Sequence, residues 1–200
     1  MTTHYFECKV EPSESNPEFV LSRTFQTIHD YLGAGKETGI GISFPDMTET
    51  HPGLTIRIYG DQKKLSGLHK DMGLQRLYQS GGIDISEIQV TPSTDTWEVY
   101  TRARTDEKST ALYAYKDELR FVKHLAKKGI EIDETKLKAR RKRILARQNK
   151  QQPFFQLTSA STGQAFMMYI NKKDFAGPGE KVFNAYGLST HENLSGVPVF

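Results

Sequence analysis

The first ninety residues alternate between two hydrophobic spacings, and the order of that alternation limits the fold more than any other feature of the sequence. Strand-like composition or alternation occurs in four segments, at residues 4–11, 39–45, 54–60 and 83–90. Helical spacing occurs in two segments, which begin near residues 17 and 61. The sequence therefore predicts an α+β protein whose N-terminal part has the order β-α-β-β-α-β, the order of the ferredoxin-like split βαβ unit.

The ends of the two helices carry recognisable signals. Asn16 or Ser15 can cap the first helix, with Pro17 in its first turn, where a missing N–H costs nothing. Gly33 is expected to close it, and Asp61 is the expected cap of the second helix. The buried stripe of the first helix consists of Leu21, Phe25, Ile28 and Leu32.

The second half predicts a less regular α+β arrangement. Turn-forming residues at 91–96 suggest a boundary between a domain at 1–95 and a domain at 96–200. Strands are expected at residues 97–105, 154–159 and 165–171, with a last short strand near 183–189. Two helices are expected at roughly 109–128 and 133–148, separated by Gly129.

Composition excludes several classes of protein. The chain is 36% hydrophobic and 26% charged, and it lacks an apolar run of the roughly 18 residues that a membrane span needs. Its start reads as a strand rather than a leader, and Cys8 is the single cysteine, so neither an internal disulfide nor a cysteine zinc site is expected. The six histidines have no metal-binding spacing and no phosphate-loop pattern occurs. We therefore expect a cytoplasmic protein with no metal or other cofactor.

Positive charge is concentrated in one quarter of the chain. Residues 1–100 hold 8 Lys and Arg against 14 Asp and Glu, whereas residues 101–150 hold 16 against 7. A surface that binds a polyanion needs such segregation, because neutralised phosphates release their counterions. The segregation indicates nucleic-acid binding, although a solvated lysine-rich helix would also produce it.

Within this quarter, one group of cations lies at helical spacing along a single face. This basic stripe consists of Lys116, Arg120, Lys123 and Lys127. A second cluster, at residues 136–147, wraps around more of its helix, which is more typical of solvated surface. Arg102 and Arg104 are two residues apart on the expected strand, so both would point one way and could reach guanine edges.

Three other positions could take part in chemistry, and each also has an ordinary structural interpretation. His29 borders the buried stripe of the first helix, as a boundary histidine without a role would. Ser159 and Ser161 would share one face of an extended strand or belong to a hydroxyl-rich loop, and no GxSxG elbow surrounds them. Tyr186 could simply be a half-buried aromatic residue.

Taken together, these segments resemble the CRISPR-associated repeat-processing endoribonucleases of type I-F systems (the Csy-type family). The resemblance rests on His29 and on several motifs in the family's order. The motifs are HYFECKV at residues 4–10, GIGISFPDM at 39–47, SASTGQAF at 159–166, AYGLS at 185–189 and the final VPVF.

The resemblance implies a metal-independent enzyme that binds a CRISPR-repeat hairpin, in pre-crRNA and crRNA, and cuts at the 3′ base of the stem. The products would be a cyclic phosphate and a 5′-hydroxyl, and the protein would stay with its RNA as a subunit of a type I-F surveillance complex. The family's catalytic histidine, serine and tyrosine correspond to His29, Ser159 and Tyr186. Residues of the pocket around the scissile nucleotide correspond to Ser161, Thr162 and Phe166, and Gln164 is also expected to bind the RNA.

The chain departs from the family pattern in its basic region. The expected recognition helix carries more lysine than the arginine-dense helix of the family, and Arg104 stands where glutamine is common. Lysine lacks the planar fork of arginine, so readout of the repeat sequence would differ. The second cluster, with Arg140, Arg141 and Arg143, could supply the main RNA contacts instead of the basic stripe. A non-catalytic hairpin-binding module and an adaptor with a solvated basic helix are the alternative functions.

Overall fold

The chain folds as an α+β protein with two antiparallel sheets, which confirms the predicted class. The computed structural model describes residues 4–104, 111–146 and 152–200. The strands are β1 (His4–Val10), β2 (Gly41–Ser43), β3 (Thr55–Gly60), β4 (Ile83–Ile85), β5 (Gln89–Val90), β6 (Trp97–Arg102), β7 (Phe154–Thr158), β8 (Ala165–Phe175) and β9 (Val197–Pro198). The described helices are α1 (Pro17–Gly35), α2 (Gln62–His69), α3 (Met72–Gln79), α4 (Ala111–Lys127) and α5 (Glu134–Leu145).

The first sheet has the strand order β2-β3-β1-β4, and β5 also pairs with β1. All of these pairings are antiparallel. Strands and helices therefore follow one another as predicted, with one helix and one strand each divided in two. The ferredoxin-like assignment stays a prediction.

Helix α1 forms as its sequence predicts and ends slightly later. The Asn16 side chain accepts a hydrogen bond from the N–H of Phe19 at 3.0 Å, and Pro17 occupies the first turn. The four stripe residues are at most 1% exposed. The helix continues past Gly33 to Gly35 and ends where Lys36 takes a left-handed conformation with φ of 49°.

The second predicted helix is two helices, because a second cap interrupts it. Asp61 caps α2 by accepting from the N–H of Lys63 at 2.9 Å, as predicted. Asp71 then accepts from the N–H groups of Gly73 and Leu74 at 2.8 and 3.2 Å and starts α3. The predicted strand at 83–90 is also divided, into β4 and β5 on either side of residues 86–88, and the Ser86 hydroxyl accepts from the N–H of Glu7 on β1 at 2.9 Å.

The second sheet has the strand order β7-β8-β6-β9. The predicted strands at 154–159 and 165–171 correspond to β7 and β8, and β6 forms at the start of the predicted segment 97–105. The predicted end of the strand at 97–105, the predicted start of the helix at 109–128 and the predicted end of the helix at 133–148 lie outside the described residues. The prediction of a strand at 183–189 is wrong, because Asn184–Leu188 forms a hydrogen-bonded turn.

One buried core is shared by residues of both sheets. Phe25 of α1 stacks on Phe155 of β7 with ring centroids 4.3 Å apart, and Phe44, just after β2, lies 5.1 Å from Phe155. All three side chains are fully buried. Helix α1 is thus held between elements of both sheets, which fixes the position of the residues along its exposed side. The proposed boundary between 1–95 and 96–200 stays a prediction.

Helices α4 and α5 pack against each other outside this shared core. Arg140 of α5 donates two hydrogen bonds to the carboxylate of Asp117 on α4, at 2.6 and 3.3 Å. Its guanidinium also lies 4.5 Å from the ring centre of Phe121. None of the helices in the described part of the chain is long and apolar enough to span a membrane.

Candidate functional site

A cavity of about 820 Å³ is lined by side chains of α1, β6, α4, the β7–β8 hairpin and the turn at 184–188. Most of the residues singled out in the sequence contribute to it. Those that line the cavity are His29, Arg102, Lys116, Ser159, Ser161, Thr162, Gln164, Phe166 and Tyr186. The fold therefore brings together, at one site, residues from both halves of the chain.

His29 is held by two neighbouring residues of the turn. Its Nδ1 lies 2.8 Å from the carbonyl oxygen of Ala185. A carbonyl can only accept, so Nδ1 carries the hydrogen, and in the neutral ring the lone pair resides on Nε2. The imidazole also stacks on the ring of Tyr186, with centroids 3.8 Å apart and an angle of 10° between the planes.

The turn that carries these two contacts is itself fixed in place. The Asn184 side chain accepts from the N–H groups of Tyr186 and Leu188 at 2.8 and 3.3 Å. Gly187 has a φ of 67°, a conformation that a glycine adopts without strain. Its carbonyl accepts from the N–H of Ile42 at 2.9 Å, which joins the turn to β2.

Ser159 and Ser161 lie in the loop of the β7–β8 hairpin rather than in an extended strand. Their hydroxyl oxygens are 3.2 Å apart, so they still share one side. The loop closes through the Ser159 N–H to the Gln164 carbonyl at 3.0 Å and the Gly163 N–H to the Ser159 carbonyl at 2.8 Å. Ser159 is half-buried, whereas Ser161, Thr162 and Gln164 are exposed. Four polar side chains thus stand around an open rim.

Arg102 lies beside two aromatic rings of the cavity. Its guanidinium carbon is 5.4 Å from the ring centre of Phe166 and 5.6 Å from that of Tyr186, within the range of cation–π attraction. Arg104 follows the end of β6, where it is exposed and does not line the cavity. The two arginines are therefore not equivalent.

The basic stripe lies on one face of α4, and its four side chains are exposed as predicted. Lys116 is nearest the cavity and donates to the Gln164 side-chain oxygen at 3.2 Å. Arg120 lies over the ring of Tyr113 at 5.6 Å. Lys123 and Lys127 extend the stripe away from the cavity towards the C-terminal end of the helix.

The second cluster is divided between structural and exposed positions. Arg140 is engaged by Asp117, whose carboxylate pKa is lowered by the hydrogen bond from the Arg140 guanidinium. Arg141 and Arg143 are exposed. Arg140 therefore joins α5 to α4, while the side chains of Arg141 and Arg143 face solvent.

Several cavity residues were not among the sequence predictions. Tyr113 precedes Lys116 by one helical turn, a spacing that places both on one face and could have indicated it. Gln156 and Thr158 alternate along β7 with buried neighbours, which is also visible in the sequence. Ala185 contacts His29 through its main-chain carbonyl, so no side chain in the sequence could have indicated this contact. Among the described residues, no three His, Cys, Asp or Glu side chains are grouped so that they could hold a metal ion.

The sequence is similar to known proteins along nearly its whole length. The sequence model of the family described as CRISPR-associated protein (Cas_Csy4) matches residues 5–200. A curated relative, the CRISPR-associated endonuclease Cas6/Csy4 of Escherichia coli (strain UTI89 / UPEC), is 28% identical over 188 residues, which cover 93% of this chain and 95% of the relative. The chain therefore belongs to the Cas_Csy4 family of CRISPR-associated proteins, and its resemblance to the repeat-processing endoribonucleases is confirmed.

Proposed function

We propose that this family member is a metal-independent endoribonuclease that cuts a CRISPR-repeat stem-loop at the 3′ base of the stem and so produces guide RNA. The observation that carries the proposal is the fixed orientation of His29. The Ala185 carbonyl oxygen accepts a hydrogen bond from His29 Nδ1 at 2.8 Å, and the imidazole ring lines the same cavity as Ser159. A histidine whose second nitrogen is left as an acceptor suits proton abstraction from a hydroxyl.

The reaction uses a nucleophile that belongs to the RNA. His29 Nε2 takes the proton from the ribose 2′-hydroxyl before the cut, and the 2′-oxygen forms a bond to phosphorus. The bond from phosphorus to the 5′-oxygen breaks, that oxygen takes a proton from water, and protonated His29 returns its proton to the hydroxide left behind. The products are a 2′,3′-cyclic phosphate and a 5′-hydroxyl, so atoms and charge balance without an added reagent.

Ser159 and Tyr186 position the reacting groups. The Ser159 hydroxyl donates to or accepts from the 2′-oxygen and keeps it in line with the leaving oxygen, a role of orientation rather than attack. Tyr186 holds the plane of the imidazole through the ring stack at 3.8 Å. Ser161, Thr162 and Gln164 supply further polar groups on the rim for ribose and phosphate.

The basic stripe and Arg102 bind the hairpin. Arg120, Lys123 and Lys127 form an exposed row that follows a phosphate backbone. Arg102 and Phe166 face the cavity, where the guanidinium meets a guanine edge and the ring stacks on a base. Arg104, which is exposed just outside the cavity, contacts the adjoining part of the stem.

A hairpin-binding module without catalysis is the second candidate, because the same basic stripe would serve it. Retention of the product and a place in a type I-F surveillance complex are part of the proposal, as is action in the cytoplasm. The presence of histidine, serine and tyrosine at one cavity favours the enzyme over the binding module.

The test is a cleavage assay on the cognate repeat RNA in the presence of EDTA, with a second substrate that carries 2′-deoxyribose at the nucleotide before the cut. We expect cutting of the first substrate and none of the second. We expect His29→Ala to slow cutting by about 10²–10⁴-fold while hairpin affinity stays near that of wild type. Tight binding without cutting would establish the hairpin-binding module, and absence of binding would leave only a solvated basic surface.

A further inference from the structure

Side chains of α1 bind the free edge of β7, in the region where that strand leads to Ser159. The Ser22 hydroxyl accepts a hydrogen bond from the N–H of Gln156 at 3.1 Å. The Gln26 side-chain oxygen accepts from the N–H of Thr158 at 3.0 Å. Among the described strands, β7 pairs with β8 and has no strand on its other side, so these N–H groups would otherwise have no partner in the sheet.

The two hydrogen bonds match the repeat of a helix to the repeat of a strand. Residues 22 and 26 are one helical turn apart, which advances the helix by about 6 Å. Residues 156 and 158 are two apart, which advances the strand by about 6.6 Å. Because the two advances are nearly equal, each turn of α1 meets the next outward N–H of β7. The register of the helix along the strand is thereby set.

The register matters because each element carries one of the residues proposed to act on the ribose 2′-hydroxyl. His29 follows Gln26 by three residues on α1, and Ser159 directly follows Thr158. A shift of α1 along β7 would therefore change the distance between the imidazole and the Ser159 hydroxyl.

A second contact orients the Gln26 amide. Its Nε2 donates to the Asp30 carboxylate at 2.8 Å, one turn further along α1. With the nitrogen engaged by Asp30, the amide oxygen is directed at the N–H of Thr158. Gln26 is half-buried and does not line the cavity, so it acts on the site through the strand and not through contact with RNA.

We infer that Gln26 is a positioning residue for cleavage, which sets His29 against Ser159 by joining α1 to the end of β7. The inference rests on the proposed function. It predicts a loss in the rate of the chemical step without a matching loss in RNA affinity or in thermal stability.

The experiment measures the single-turnover cleavage rate, the hairpin Kd and Tm for Gln26→Leu, with Thr27→Val as the matched control. Thr27 lies beside Gln26 and donates to the Arg23 carbonyl within α1, so its substitution leaves β7 untouched. We expect Gln26→Leu to lower the rate by about 10- to 100-fold, with Kd and Tm close to those of Thr27→Val.

A double substitution separates positioning from general damage. Gln26→Glu keeps an oxygen for the Thr158 N–H but places a second carboxylate next to Asp30. Combining it with Asp30→Asn gives position 30 an amide N–H that can donate to the new carboxylate at position 26. The double variant should therefore recover most of the rate that Gln26→Glu alone loses. If Gln26→Leu does not fold, Gln26→Asn, which shortens the side chain by one methylene, takes its place.

A wild-type rate in Gln26→Leu would overturn the inference, as would a rate loss that merely follows a fall in Tm and is not rescued. Failure of the proposed function would look different. In that case wild type would not cut the repeat, or His29→Ala would cut it as fast as wild type does.

Discussion

The rings of His29 and Tyr186 lie nearly parallel, with their centroids 3.8 Å apart and 10° between their planes. Ala185, the residue before Tyr186, supplies the carbonyl oxygen that accepts a hydrogen bond from His29 Nδ1 at the edge of the ring, at 2.8 Å. Two consecutive residues of one turn therefore fix both the plane of the ring and the direction of its Nδ1–H. The orientation of the proposed base depends on the turn at 184–188 rather than on α1 alone.

The ring of Tyr186, and not its hydroxyl, is expected to matter for cleavage. An aromatic pair contributes about 0.5–1.5 kcal/mol beyond the burial of its area. Tyr186→Leu removes the stack and should slow single-turnover cutting by up to about tenfold, whereas Tyr186→Phe should cut at nearly the wild-type rate. If the phenylalanine variant lost as much rate as the leucine variant, the hydroxyl would have a direct part in the reaction.

Gly187→Ala is expected to destabilise the protein and the site together. Gly187 has a φ of 67°, and an added Cβ would lie 2.6 Å from Cγ1 of Ile42. The left-handed conformation alone costs about 1–2 kcal/mol, and the contact with β2 adds to that cost. Urea unfolding should show a larger loss than in Gly129→Ala, where φ is 66° but nothing lies within 4 Å. Equal losses in the two variants would show that the Ile42 contact is relieved cheaply.

Removal of cations from the basic stripe is expected to weaken hairpin binding in a salt-dependent way. Each lost phosphate contact should lower the slope of log K against log salt concentration by about one. Lys123→Ala and Lys127→Ala should each show this change when Kd is measured over a series of salt concentrations. Lys63→Ala, on the exposed surface of α2, is the control and should leave the slope unchanged. A slope that responds to Arg141→Ala and not to Lys123→Ala would move the RNA contacts to the second cluster.

The link between α4 and α5 is expected to weaken in acid. The hydrogen bond from Arg140 lowers the pKa of the Asp117 carboxyl below its usual value, which is about 3.9. A lowered folded-state pKa means that the stabilisation is present above the ordinary value and is lost as pH falls through the folded value. Asp117→Asn should therefore cost up to about 1 kcal/mol at pH 7, because solvent screens this surface pair.

The difference in unfolding free energy between Asp117→Asn and wild type should shrink as pH is lowered below about 4. The measurement is urea unfolding of both proteins at a series of pH values. A difference that stays constant through this range would mean that the carboxylate charge is not what Asp117 contributes.

Local patterns were enough to predict α1 and the basic stripe, because both repeat at the helical period. Leu21 and Phe25 are buried and Lys123 is exposed, as that period requires. The break at Asp71 was missed, although an acidic residue before a helical segment is itself a cap signal. The turn at 184–188 could not be predicted from hydrophobic spacing, because hydrogen bonds to the Asn184 side chain hold it.

The family resemblance predicts most of the candidate site residues, but the geometry of the site could not be predicted from the sequence. The stack of His29 on Tyr186 joins residues from opposite ends of the chain, and no local spacing encodes such a contact. The hydrogen bond from Nδ1 goes to a main-chain carbonyl, and because every residue has one, the sequence does not indicate which of them accepts it. The hydrogen bond from Thr158 to Gln26 likewise depends on how α1 lies along β7.

The two hydrogen bonds from Arg140 to Asp117 have a consequence for how RNA preference could change among relatives. Helices α4 and α5 hold their mutual arrangement through contacts internal to the pair, while the proposed chemistry resides on α1, β7 and the turn at 184–188. Among the described residues of α4, only Lys116 and Tyr113 line the cavity, so under the proposed function substitutions elsewhere on the exposed face of the pair would change the preferred repeat and leave the catalytic residues in place. Moving the pair between relatives would have to preserve the contact of Lys116 with Gln164, and it would test whether the proposed preference for one hairpin moves with the two helices.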